Sequence, residues 1–168
     1  MDDKKLQEEL LQKIRDNERI IFKVCNTYCN NTTDREDLAQ EIIYQLLKSY
    51  QSFKTQYKFT TWMYAVALNV AISFYRKNKT SAVISLPEHQ ENLPDHNHDP
   101  VDLENNLATL QQFINELKDL DKALMILYLE SKSYQEIAEI IGITETNVAT
   151  KISRIKDTLK RKFSNLNQ

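Results

Sequence analysis

Apolar side chains recur every three or four positions along most of this chain, which is the spacing of one face of an α-helix. A first helical segment runs from about residue 5 to residue 30, with apolar positions at Leu6, Leu10, Ile14, Ile20, Ile21, Val24 and Tyr28. A second begins at Thr33 or Asp34, and its apolar stripe is Leu38, Ile42, Leu46 and Tyr50. A third begins at Thr60 or Thr61 and continues to about Lys77, and a later apolar stripe starts with Leu107, Leu110, Ile114 and Leu117. Only one glycine and three prolines occur in 168 residues. Pattern and composition together predict an all-α protein.

The most informative helical pattern lies around Gly142, the single glycine. Ser133 and Glu136 have the spacing of a capping box, which predicts the start of a short helix before the glycine. Thr144 is a suitable N-cap for another helix after it. Gly142 between them predicts a left-handed turn. Helix, tight turn and helix is the helix-turn-helix plan, whose second helix enters the DNA major groove. An ordinary helical hairpin is the alternative.

The stretch from residue 78 to residue 106 has no helical period and contains all three prolines and all three histidines. It predicts a flexible acidic linker at residues 81–105, between helical domains at 1–80 and 106–168. His96 and His98 could bind a metal ion, but histidines in such a tract are usually solvated. Cys25 and Cys29 could supply half of a metal site, yet two reduced, partly buried thiols are the favoured interpretation. We therefore expect no metal and no cofactor.

Charge is distributed unevenly around a net value of −2. Residues 42–80 carry six basic side chains and no acidic one, and residues 151–168 sum to +5. Residues 81–150, with 13 acids and 3 bases, sum to −10. Two basic blocks separated by an acidic block indicate two polyanion-binding surfaces held apart by a segment that avoids DNA. Solvated lysine faces are the alternative.

Enzymatic chemistry has little support in the sequence. There is no glycine-rich phosphate loop, no His-Glu-x-x-His and no nucleophile with a matching base. No run of about 18 apolar residues predicts a membrane span, and the polar N-terminus does not resemble a signal peptide. We expect a soluble, cytoplasmic protein that is not an enzyme and has no small-molecule substrate.

Each basic block carries its own candidate chemistry. On the last helix, polar side chains that can contact base edges stand beside cations that can contact phosphates; this duplex-binding set is Thr146, Asn147, Ala149, Thr150, Lys151, Ser153, Arg154 and Lys160. In the middle block, rings interleave with cations, as in proteins that bind single-stranded DNA. That set is Phe53, Lys54, Tyr57, Lys58, Phe59, Trp62, Tyr64, Arg76 and Lys77. For any one ring, burial in the core is an equal alternative.

Three stretches in this order resemble the bacterial extracytoplasmic-function (ECF) sigma factors, the RNA polymerase subunits that find and open promoters. Residues 37–43 (DLAQEII) resemble the family's acidic polymerase-binding helix, residues 59–71 (FTTWMYAVALNVA) its strand-opening helix, and residues 133–156 its helix-turn-helix. The resemblance covers nearly the whole chain.

The resemblance implies a role for each domain. Domain 1–80 would bind the clamp helices of the largest subunit of core RNA polymerase through Asp37, Gln40 and Glu41, and would melt the −10 promoter element. Asn69 would help hold an extruded base of that single-stranded DNA. Domain 106–168 would bind the −35 element as duplex. Family members are commonly held by an anti-sigma factor, often membrane-anchored.

Two other functions stay open at this stage. One is a stand-alone helix-turn-helix regulator that recruits or blocks the polymerase. The other is a helical adaptor whose basic faces bind acidic proteins without contacting DNA. Exposed aromatic residues near a strand-opening asparagine would favour the sigma factor over both.

Overall fold

The computed structural model describes residues 3–81 and 102–168, with side chains described for residues 3–77 and 103–168. The predicted linker at 81–105 lies mostly outside these ranges, as do His96, His98 and the three prolines. All regular secondary structure in the described ranges is helical. No helix of those ranges is long and apolar enough to cross a membrane.

Four α-helices lie within residues 3–81. They are α1 (Asp3–Asp16), α2 (Glu18–Tyr28), α3 (Thr32–Ser49) and α4 (Phe59–Ser81), with one turn of 3-10 helix at Tyr50–Ser52. Helix α4 packs against α2 and α3. Their shared core is fully buried and consists of apolar residues at helical spacing, among them Val24, Leu38, Ile42, Leu46, Met63, Ala67 and Ala71.

Four more α-helices lie within residues 102–168. They are α5 (Asp102–Asn115), α6 (Asp119–Leu129), α7 (Tyr134–Ile141) and α8 (Glu145–Leu166). Their core includes Leu124, Leu127, Ile137, Val148 and Ile152. The Phe113 and Phe163 rings, 5.0 Å apart between centroids, join α5 to the end of α8.

The helix-turn-helix forms as the sequence predicts. The Ser133 amide donates to Glu136 Oε2 at 2.9 Å and the Glu136 amide donates to Ser133 Oγ at 3.1 Å, which completes the capping box. Gly142 ends α7 in the left-handed conformation, with φ +81°. Thr144 Oγ1 then accepts the Asn147 amide at the start of α8. Local capping chemistry therefore sets both helix boundaries.

Several predicted boundaries differ from those in the structure. The first segment divides at Asn17, whose side-chain amide donates to the Lys13 carbonyl at 2.8 Å and competes with continuation of α1. Asn31, rather than Thr33 or Asp34, caps α3, because its Oδ1 accepts the Asp34 amide. Helix α4 begins before Thr60, since the Trp62 amide already donates to the Lys58 carbonyl.

Other differences concern the linker boundary and the core. Helix α5 begins at Asp102, four residues before the predicted boundary at 106. Leu6 and Leu107, which continue apolar stripes, are 44% and 57% exposed. The apolar stripes of α1 and α5 therefore include positions that no neighbouring helix buries.

The two halves pack against each other rather than forming separate cores. Helix α4 contacts α6 and α7, and α2 contacts α5 and α6. One continuous cluster of buried side chains extends from Leu10 to Leu159. Periodicity within each half predicts the helices but not this contact.

The Gly142 turn gives a direct test of backbone strain. A Cβ at this position would meet no atom within 4 Å, so only the left-handed φ penalises a side chain. Gly142→Ala should lower the unfolding free energy by about 1–2 kcal/mol, and Gly142→Asn by less. Urea unfolding followed by circular dichroism measures both.

Ser131 provides the control, because it is a non-glycine residue with φ +59°. Ser131→Gly should relieve strain and leave stability unchanged or raise it slightly. Equal stability of wild type and Gly142→Ala would contradict the role of the glycine.

Candidate nucleic-acid interface

The acidic residues of α3 form an exposed edge. Asp37, Gln40 and Glu41 face solvent, whereas their neighbours Leu38 and Ile42 are completely buried. Glu41 Oε1 accepts a hydrogen bond from Gln45 Nε2 at 2.9 Å. The buried stripe fixes the helix orientation and leaves this acidic edge available to a partner.

An open groove of about 610 Å³ separates this edge from α4. Asp37 and Glu41 line one wall, and Asn69 and Lys77 line the other, with the Phe74 ring among the apolar lining residues. Asn69 is exposed and reaches the groove from the face of α4 opposite its core. The structure thus brings together residues that the sequence assigns to two different partners.

The aromatic residues around residues 50–62 contact one another. Phe53 is the centre of the cluster: its ring centroid lies 5.2 Å from that of Trp62, 6.0 Å from that of Tyr50 and 6.1 Å from that of Phe59. These rings are half-buried, and Lys13 Nζ of α1 lies 5.8 Å from the Phe59 centroid. The sequence does not predict that Tyr50 belongs to this aromatic cluster, because its helical register assigns it to the apolar stripe of α3.

Exposure separates the members of the single-stranded set. Tyr57, Lys54 and Lys58 are exposed on the loop before α4. Tyr64, by contrast, is 3% exposed, and Lys132 Nζ of the second half lies 5.5 Å from its ring centroid. Burial, followed by the charge of Glu130, raises the pKa of Tyr64 to about 12. In this arrangement Tyr64 is therefore a buried core residue, which is the alternative to binding single-stranded DNA.

Two cations of the same set pair with acids of the second half. Lys58 Nζ lies 3.6 Å from Glu136 Oε1, and Arg76 Nε donates to Asp119 Oδ2 at 2.9 Å. Sequence reasoning missed both carboxylates as partners. The only available signal is the opposite charge of the two blocks, which does not specify pairs.

The polar face of α8 is open to solvent. Thr146, Asn147, Thr150, Ser153, Arg154 and Lys160 are exposed, and Ala149 and Lys151 are half-buried. Thr150 Oγ1 donates to the Thr146 carbonyl at 3.0 Å, so this hydroxyl is already used within the helix. On the opposite face, Val148, Ile152, Ile155 and Leu159 are buried and hold α8 against α6 and α7.

The two cysteines lie inside the first half. Cys25 and Cys29 are buried, free thiols. Burial raises the pKa of Cys25 to about 12 and that of Cys29 to about 11, so both are protonated at neutral pH. They contribute to packing between α2 and its neighbours.

Two family models match different parts of this chain. Residues 14–80 match the Sigma-70 region 2 family, and residues 107–159 match Sigma-70, region 4. The chain is 29% identical over 160 residues to the ECF RNA polymerase sigma factor SigW of Bacillus subtilis, covering 87% of this chain and 84% of that protein. It is 27% identical over 149 residues to the sigma factor SigV of the same organism, covering 86% and 85%.

Two solved structures have a similar fold. The sigma factor RpoE of Bartonella quintana, in complex with the anti-sigma factor NepR, superposes with TM-score 0.71 and 18% identity over 94% of this chain and 98% of that chain. CnrH, in complex with the cytosolic domain of CnrY, gives TM-score 0.68 and 15% identity over 95% and 90%.

The two family matches, the order of the helices and the exposed face of the helix-turn-helix thus lead to one assignment. The chain belongs to the ECF sigma factors, which bind core RNA polymerase and promoter DNA to start transcription.

Proposed function

We propose that this chain is a promoter-specificity subunit in which α3 binds the polymerase, α4 and its preceding loop open the −10 element, and α8 reads the −35 element. The observation that carries the proposal is the groove between α3 and α4, where an acidic edge and an exposed asparagine lie side by side. A simple repressor needs neither. The subunit would act without catalysis of its own, in the cytoplasm with the polymerase.

Polymerase binding is assigned to Asp37, Gln40 and Glu41. Their exposure above a rigid apolar stripe suits a preformed contact with a basic helical partner, such as the clamp helices of the largest subunit. Opposite charges across such an interface accelerate encounter and fix its register.

Strand opening is assigned to Asn69 together with the loop at residues 53–59. Unpairing and unstacking a base costs a few kcal/mol. Stacking on a ring is worth about 1–3 kcal/mol per base, and Tyr57 is the exposed ring of the loop. Lys54 and Lys58 beside it would attract the backbone, and the Phe53 cluster would hold the loop in shape.

Duplex recognition is assigned to the exposed face of α8. Asn147 and Arg154 can make bidentate contacts with bases, while Lys151 and Lys160 can contact phosphates. Ala149 can contribute only an apolar contact, for example with a thymine methyl group.

The two solved structures named above are complexes with the cytosolic domain of CnrY and with the anti-sigma factor NepR. We extend to this chain the expectation of an anti-sigma partner, often membrane-anchored in this family. Such a protein would control when the polymerase can use the chain.

Charge reversal of the acidic edge tests polymerase binding. Asp37→Lys combined with Glu41→Lys should weaken binding to core polymerase by about 2–5 kcal/mol, because desolvated ion pairs would become repulsive. Pull-down and fluorescence titration with core polymerase measure the loss. Glu8→Lys with Glu9→Lys, an equal charge change on exposed positions of α1, should have little effect. Wild-type affinity of the α3 variant would contradict the assignment.

Substitutions on α8 separate base contacts from phosphate contacts. Arg154→Ala should reduce holoenzyme affinity for its favoured −35 sequence by about 1–3 kcal/mol and relax specificity there. Lys160→Ala should weaken binding to all sequences alike and reduce its salt dependence. Footprinting on matched and mismatched promoters distinguishes the two. If neither substitution changes promoter occupancy, α8 is not the recognition helix.

Asn69→Ala tests strand opening. It should leave closed-complex formation nearly intact and slow opening, since the hydrogen bond to the extruded base is lost. A premelted −10 bubble should partly rescue the variant, because the unpairing cost is already met. Permanganate footprinting of unpaired thymines on duplex and bubble templates measures both effects.

Asn26→Ala, at an exposed position of α2, is the matched control and should open promoters normally. Normal opening by a variant that combines Asn69→Ala with Tyr57→Ala would refute the mechanism and favour the stand-alone regulator.

A further inference from the structure

An exposed tyrosine continues the acidic edge of α3. Tyr44 is 56% exposed, and it follows Glu41 by three positions and Gln40 by four, so the three side chains share one face of the helix. One turn further, Lys48 Nζ lies 5.9 Å from the Tyr44 ring centroid. Along α3 this face therefore changes from carboxylates to an aromatic ring and then to a cation.

The same face of α3 leads to a hollow of about 240 Å³ beside α1. Leu47, three positions after Tyr44, lines it together with Tyr50 and Gln51 of the following turn of 3-10 helix. Its other wall comes from α1 and consists of Asp3, Leu6, Gln7 and Leu10. Leu6 is 44% exposed, so this apolar wall is open to solvent.

The size and lining of the hollow suit a side chain of a protein partner. Sites for drug-sized molecules have volumes of about 300–1,000 Å³, which this hollow does not reach. Leucine side chains on both walls favour an apolar group, and the Gln7 and Gln51 amides can hydrogen-bond at its rim. Tyrosine is enriched among the residues that dominate protein interfaces, because its ring buries a large area and its hydroxyl keeps a polar contact.

The order of charged and apolar groups also identifies the shape of the partner. From Asp37 to Gln51 the face extends for roughly 20 Å, at 1.5 Å per residue, which one helix of similar length can follow. Cations of that helix would face Asp37 and Glu41, apolar side chains spaced three or four apart would face Tyr44 and the hollow, and a carboxylate would face Lys48. A nucleic acid on this path would bring its phosphates to the carboxylates instead.

The α1 wall is not part of the family match. Sigma-70 region 2 matches residues 14–80, whereas Leu6, Gln7 and Leu10 precede that range. The hollow therefore combines a matched helix, α3, with a segment of this chain that the family match does not cover.

We propose that Tyr44 and the hollow between α1 and α3 form an apolar contact for core polymerase, in which an amphipathic helix of the polymerase inserts an apolar side chain between Leu6 and Leu47. This inference rests on the proposed function of α3. The acidic edge sets encounter and register, and the apolar contact supplies affinity. Because salt screens exposed charges, the apolar contribution persists at salt concentrations that weaken the acidic edge.

Tyr44→Ala tests the aromatic part of the contact in the full chain. It should weaken binding to core polymerase about tenfold or more, by fluorescence titration, and the loss should be equal at low and high salt. Tyr44→Phe keeps the ring and should stay within about threefold of the wild type. Phe22→Ala is the matched control, because it removes a ring that is 60% exposed on α2, and it should bind normally.

Leu6→Gln tests the hollow, since it keeps an unbranched helix-forming side chain and removes apolar surface. Binding to core polymerase should weaken about fivefold, again independently of salt. Leu129→Gln, at a leucine 51% exposed on α6, is the matched control and should bind like the wild type. Circular dichroism checks that each variant keeps its helix content.

Photo-crosslinking identifies the occupant of the hollow. A benzophenone amino acid in place of Leu6, in holoenzyme bound to promoter DNA, should crosslink to a core polymerase subunit. The same group in place of Gln40 is the positive control. A crosslink from position 6 to promoter DNA, or none to polymerase while position 40 gives one, would overturn the proposal.

The variants also separate this inference from the proposed function. Wild-type affinity of Tyr44→Ala and Leu6→Gln, together with weak binding by the Asp37→Lys and Glu41→Lys chain, would refute the apolar contact and leave the acidic edge in place. Wild-type affinity of only one variant would remove that residue's part of the contact. Failure of the unmodified chain to bind core polymerase would contradict the proposed function itself.

Discussion

Helix α4 packs against α2 and α3 on one side and against α6 and α7 on another. This shared packing sets the position of both halves of the chain and of the groove beside α3. Met63, Ala67 and Ala71 are completely buried in the direction of α2 and α3. The rings of Tyr64 and Tyr75 instead face the second half, where they lie against the ammonium groups of Lys132 and Lys122. Asn69 remains on an open face. Small residues at positions 67 and 71 allow close helix approach, and that closeness fixes the orientation of the asparagine relative to the acidic edge of α3.

The uneven distribution of charge along the chain explains how a sequence with a net charge of only −2 can still bind polyanions. The basic block at residues 42–80 has no acid of its own, so nothing within it competes for its cations. The acids it meets come from Asp119 and Glu136, more than forty residues further along the chain. Because exposed pairs of this kind are weak and screened by salt, a phosphate backbone can replace them. Placing the competing charge on a separate half makes the competition reversible.

Elements set by local chemistry were predictable from the sequence. The Ser133–Glu136 capping box, the Gly142 turn and the Thr144 cap follow from residue type and spacing alone, and the stripe of Leu38, Ile42 and Leu46 locates the buried side of α3. Contacts between distant positions were not predictable. Periodicity describes one helix at a time, so it gives no signal that Lys122 lies against Tyr75 or that Tyr64 is covered by Lys132. Leu6 and Leu107 are exposed for a related reason, since a stripe does not reveal which of its positions another helix will cover.

The aromatic cluster around Phe53 has a practical consequence for spectroscopy. Trp62 is the only tryptophan of the chain, and it contacts Tyr50, Phe53 and Phe59 at the base of the loop assigned to the melted strand. Indole emission depends on the polarity around the ring and is quenched by stacked bases. The unlabelled protein therefore carries an intrinsic fluorophore at the loop, and its emission can follow in real time how that loop responds to nucleic acid.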